Sequence, residues 1–127
     1  MKLGQVIRSI AALLLLTPSY SQTPPMGLQI SPGLVDFGEA QVNSVTPPRT
    51  ITLTNPTRSN ITMQQIITSG IDFSEKHDCG QMLVPGAQCT IQVSFKPAIS
   101  GQRIGNLDVM GSDPASPHFI ALTGSGK

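Results

Sequence analysis

The stretch Cys89-Thr90-Ile91-Gln92-Val93-Ser94-Phe95 alternates apolar and polar residues without a break. A period of two puts Cys89, Ile91, Val93 and Phe95 on one side of an extended chain and Thr90, Gln92 and Ser94 on the other. No helix can present that pattern as a single apolar face, so the segment is predicted to be a strand with one buried and one wetted face. Pro85-Gly86 upstream is a turn signal, and Pro97, which has no N–H to give to a ladder, closes the strand. Everything else in the chain must supply the partners this strand needs.

Those partners are legible as short extended segments between turn residues. Leu28-Gln29-Ile30 begins one strand, Pro32-Gly33 interrupts it, and Val35 and Phe37 resume the alternation. Two half-strands around Pro-Gly predict an edge strand that crosses from one sheet to the other. Ile51 and Leu53 point inward between Thr50, Thr52 and Thr54, and Asn55-Pro56 turns the chain. Residues 61–68 form the next strand, where Ile66-Ile67 breaks the alternation and predicts a bulge. A short strand follows over residues 71–75. Residues 104–110 carry Leu107 and Val109 inward, and residues 119–123 carry Ile120 and Leu122. Helical periodicity is missing throughout this region. The expectation is all-β: a seven-stranded immunoglobulin-like antiparallel β-sandwich.

The first 21 residues read differently. Lys2 and Arg8 precede the apolar run at residues 10–16, and small residues at Ser19 and Ser21 follow. This is the order of a secretory signal peptide, and the run is too short for a membrane span, which needs about 20 apolar residues. Cleavage after Ser21 would leave residues 22–27 as a flexible leader and residues 28–126 as one domain. It would also remove two positive charges, taking the formal net charge from +1 to −1 (+1 − 2 = −1). Such a chain has no electrostatic pull toward phosphate backbones, so nucleic acid is not an expected partner. No later segment is apolar and long enough to span a bilayer. The expected location is the periplasm or the extracellular space, where Cys79 and Cys89, the chain's two cysteines, favour a disulfide over free thiols or a metal site.

The residues also carry a resemblance. Val35-Asp36-Phe37-Gly38, Ile51-Thr52-Leu53-Thr54-Asn55, Ser69-Gly70-Ile71-Asp72-Phe73, Cys79-Gly80, Leu83-Val84-Pro85-Gly86, the run from Cys89 to Pro97, Gly105-Asn106-Leu107-Asp108-Val109 and Leu122-Thr123-Gly124-Ser125-Gly126 occur in that order. Together they resemble the abnormal-spindle/hydin-like (ASH) domain, called choice-of-anchor D in bacterial proteins. Asn55-Pro56 stands where that family has an Asn-x-Gly turn. The resemblance implies an immunoglobulin-like sandwich related to the major sperm protein and pilus-chaperone folds, with Cys79 bonded to Cys89. It carries no catalytic residues.

Chemistry is correspondingly sparse. His77-Asp78-Cys79 sets a histidine beside a cysteine, but adjacent side chains in an extended segment point apart and a disulfide removes the thiolate. His118, next to Pro117, is expected to be isolated and exposed. Gly124-Ser125-Gly126 reads as a flexible end, and Asn60-Ile61-Thr62 is a glycosylation sequon. The irregularly spaced Met26, Met63, Met82 and Met110 are expected to fill gaps in the core. No catalytic residue, cofactor or metal site is expected. The function expected is a non-catalytic module for protein–protein interaction or a structural, adhesive role, with another protein as partner and no oligomeric state specified. A small carbohydrate- or ligand-binding protein is the alternative, weakened because Phe37 and Phe95 read as core. The two-part first strand is either a docking edge or a protected one.

Overall fold

A computed structural model describes residues 25–127; the expected signal peptide and most of the expected leader lie outside them. At the boundary, Pro25 and Met26 are exposed, while Gly27 and Leu28 are buried. The chain forms β1 (Gln29–Ser31), β2 (Leu34–Ala40), β3 (Arg49–Thr54), β4 (Ile61–Ser69), β5 (Phe73–His77), β6 (Met82–Leu83), β7 (Gln88–Phe95), β8 (Gly101–Gly111) and β9 (His118–Gly126). One sheet runs β1-β3-β7-β5 and the other β2-β9-β8-β4-β6. These nine exceed the expected seven because the two halves of the first strand, β1 and β2, count separately and because the short β6 is added.

The predicted sheet crossing of the first strand is present. β1 pairs antiparallel with β3 in the first sheet, and after Pro32-Gly33 the chain continues as β2 in the second. There, however, β2 lies parallel to β9, so the sandwich is not antiparallel throughout. A crossing strand enters its second sheet already pointing one way, and that direction matches the last strand.

The alternating segment is β7, flanked by β3 and β5. Ile91, Val93 and Phe95 are completely buried, as are Ile51 and Leu53 opposite and Leu107, Val109 and Leu122 on the facing sheet. Phe37, Phe73 and Phe95 form an aromatic cluster between the sheets, with ring centroids 5.0–6.0 Å apart. β9 crosses this cluster closely: a Cβ on Gly124 would stand 2.5 Å from the Phe95 ring. Gly124-Ser125-Gly126 is therefore part of a packed strand, not a flexible end. The bulge in β4 falls between Met63 and Gln65, before the Ile66-Ile67 pair. It resets the phase so that Ile61, Met63 and Ile66 all face inward and Ile67 faces out. Met26, Met82 and Met110 are exposed, so of the four only Met63 packs against the core.

Candidate functional site

The cysteines fall where the sequence puts them, one on β7 and one on the loop after β5. Cys79 and Cys89 are joined by a disulfide across a separation of 10 residues, with Cα atoms 5.1 Å apart. Asp78 lies near both sulfurs, but its oxygens accept hydrogen bonds from the Thr90 amide (2.7 Å) and hydroxyl (3.0 Å). Those two bonds hold its carboxyl below the usual range. His77 is exposed, and the bonded sulfurs offer no thiolate, so this cluster has neither a nucleophile nor a free metal ligand set.

A second cluster was missed in the sequence. Asp113, Ser116 and His118 converge on the β8–β9 loop, and His118 is mostly buried rather than isolated: its Nε2 lies 2.8 Å from Asp113 Oδ2. The residue types suggest hydrolase chemistry, but the connectivity does not. Ser116 donates to Asp113 Oδ1 (2.5 Å) and accepts from the Gly111 amide (2.9 Å), so the hydroxyl faces the carboxylate and not the imidazole. Asp113 also accepts the Leu28 amide at 3.1 Å. Burial raises the Asp113 carboxyl, but bonds from Ser116, His118 and Leu28 outweigh it and hold the group below its ordinary value. The cluster fastens the start of the domain to the β8–β9 loop. Asp72 does the same at the other end, joined to the Ala98 amide (2.8 Å) and to Arg103 Nε (2.7 Å).

What remains is surface. The two halves of the first strand both sit at sheet edges. β1 offers only three residues, and β2 is interrupted by a register shift between Asp36 and Glu39, where Gly38 has φ +70° and donates to Asp36 Oδ1. A bulged, short edge is a poor template for an added strand.

The outer face of the five-stranded sheet is a better candidate. Leu34, Ile67, Ile104, Met110 and Phe119 are all exposed there, Ile104 by 72% and Phe119 by 63%. Register sets Ile67 and Phe119 on either side of Asp108, with Leu34 and Met110 one pleat away and Ile104 two pleats along β8, beyond Asn106. A shallow depression of about 440 Å³ runs beside them, lined by Ser69, Gly70, Ile104, Asn106, Ala121 and Thr123. Large apolar residues gathered on one sheet face mark interaction sites in soluble domains. The periodicity that found the inner face also assigns Leu34, Ile104, Met110 and Phe119 outward, but not Ile67, where the alternation breaks, and how they lie relative to one another needs the pairing register, which no single strand reveals.

Among the described residues no helix is long and apolar enough to cross a membrane. Residues 27–125 match the HYDIN/CFA65/VesB-like, Ig-like domain family. None of the curated proteins matches the sequence. Solved structures share the fold at low identity. A Porphyromonas gingivalis protein of unknown function superposes with a TM-score of 0.68 at 14% identity, covering 87% of this chain and 51% of that one. The secreted serine protease VesC of Vibrio cholerae gives 0.61 at 18%, covering 80% and 23%. An ASH/PapD-like domain of human CEP192 gives 0.58 at 14%, covering 86% and 91%. The chain thus spans about half of the first and a quarter of the second, but nearly the whole of the third.

Proposed function

The chain belongs to the HYDIN/CFA65/VesB-like, Ig-like domain family, and from that premise we propose that it is an exported, non-catalytic module that binds another protein through the outer face of its five-stranded sheet. The observation that carries this reading is the group of exposed apolar side chains on that face, Leu34, Ile67, Ile104, Met110 and Phe119. Non-catalytic action is supported by how the reactive-looking residues are used: the cysteines in a disulfide, Asp113 and Ser116 in holding the N-terminal segment. Export is supported by the signal-like residues 1–21, by the disulfide, and by the similarity to a domain-sized part of a secreted protease.

The test places a photo-crosslinking phenylalanine analogue at Ile104 and, as control, at Gln92, which is exposed on the other sheet. In the native host, irradiation should give a discrete protein adduct from position 104 and none from 92. Adducts from 92 alone would move the surface to the other sheet. An adduct with glycan and not protein at 104 would favour the carbohydrate-binding alternative.

A further inference from the structure

The apolar face contains one polar group that its own molecule leaves unserved. Asp108 lies in mid-strand on β8, with Phe119 of β9 directly across on one side and Ile67 of β4 on the other. Directly opposed residues share a face, with Cβ atoms about 4.5–5.5 Å apart. Phe119 and Ile67 are both exposed and Asp108 is partly so, yet its Oδ1 is enclosed and has no hydrogen-bond partner within the protein. The other oxygen in that condition, Oε2 of Glu75, belongs to a residue paired with the buried Val93 and so is not part of this surface.

The charges of the sheet are unbalanced around it. Its five strands contain Asp36, Glu39 and Asp108, but only two basic residues, Arg103 and His118. Arg103 is committed to Asp72 and His118 to Asp113. No cation of the sheet is therefore left for Asp108. The carboxylate is reached from outside on the side away from the enclosed Oδ1, and, half-shielded by apolar groups, it gains most from a cation that can also cover apolar surface. Arginine does both, since its planar guanidinium bonds carboxylate oxygens and lies flat on an aromatic ring.

Accepting the outer face as the binding surface, we propose that its partner is a protein segment presenting an arginine between apolar residues, the guanidinium pairing with Asp108 and stacking on Phe119. The neighbours Ile67, Met110 and Leu34 receive the flanking side chains.

The probe is the tripeptide amide Ac-Leu-Arg-Leu-NH2, compared with its citrulline analogue, which keeps the shape and loses the charge. Titrations into the 15N-labelled protein are followed by amide shifts. The arginine peptide should shift residues of β4, β8 and β9 and bind about fivefold more tightly than the citrulline peptide, the margin of a charge-assisted hydrogen bond over a neutral one. Asp108→Asn should erase that difference, and Phe119→Ala should weaken both peptides. Added salt should narrow the gap. Equal binding of the two peptides on this face, or a difference that survives Asp108→Asn, overturns the arginine proposal and leaves the face intact as a binding surface. Shifts confined to other strands overturn the choice of face as well.

Discussion

Asn55 shows how much more than a turn a turn residue can supply. Asn55-Pro56 reads as a turn, and it is one, but Asn55 is completely buried. Its amide nitrogen donates to the carbonyls of Ser59 and Leu83, both at 2.8 Å, and its Oδ1 accepts from the Thr57 amide and hydroxyl. Polar loop residues ordinarily face water; Asn55 is held inside by long-range bonds, from its side chain to the Leu83 carbonyl and from its backbone to Gly86 and Ala87. Asn55→Ala would take the side-chain donor from the Leu83 carbonyl and the acceptor from the Thr57 amide, while the Ser59 carbonyl keeps the Thr57 hydroxyl, and should cost about 2–4 kcal/mol in urea unfolding; a loss under about 1 kcal/mol would mean water takes over those bonds. His118 is a similar case, since its partner Asp113 is held by loop geometry that the sequence does not display. The acid behaviour follows from the same carboxylates. Asp72 and Asp113 lie below their ordinary value of 3.8 when folded. Their stabilisation is complete above that value and is lost as pH falls through it toward the folded pKa, because the unfolded chain takes up protons first. Stability measured from pH 6 downward should therefore drop most steeply below about pH 4.5, and Asp72→Asn with Asp113→Asn should flatten that limb. An unchanged slope would show that other groups govern it.

At the scale of the strand, legibility tracks how local the cause is. β7 is legible because its inner face is set by its own sequence: Val93 is completely buried and Gln92 is exposed. Val93→Asp places an unpaired charge among Ile51, Phe95 and the facing sheet and should prevent folding, whereas Gln92→Asp should change the midpoint little. Equivalent melting curves would mean the faces are exchanged. The bulge of β4 was expected from Ile66-Ile67 but lies at Met63/Gln65. Two adjacent isoleucines reveal that the phase changes, not where the extra residue sits, and that is decided by pairing with β8. The parallel pairing of β2 with β9 and the packed state of Gly124-Ser125-Gly126 were not legible for the same reason, being properties of two strands distant in sequence. Gly124 provides the check. Phe95 occupies the place of a Cβ there, so Gly124→Ala should cost about 1–3 kcal/mol by overpacking. A neutral result would mean the aromatic cluster can shift away from β9.

The whole molecule is held at its margins as much as at its centre. The Asp113 cluster ties in the N-terminal segment, Asp72 ties the β4–β5 turn to β8 through Arg103, and the disulfide ties the loop after β5 to β7. The first two are built from charges and hydrogen bonds and persist in any compartment near neutral pH, but the third depends on redox conditions. Closing a loop of 10 residues' separation contributes about 2.5–3 kcal/mol in the chain-entropy description, a sizeable part of the 5–15 kcal/mol typical of a domain. The domain's best stability and its proposed exported location are thus linked. Protein recovered from a secreting host should begin at Gln22, lack residues 1–21, and show by intact mass that Cys79 and Cys89 cannot be alkylated before reduction. Reduction, or the change Cys79→Ala with Cys89→Ala, should lower its unfolding free energy by about 2–5 kcal/mol while the native spectrum is kept. The same chain made without residues 1–21 in a reducing cytosol should match the reduced form and gain that stability on oxidation in vitro. Free thiols in the exported protein, or retention of the apolar segment at residues 10–16, would break the link between compartment and fold.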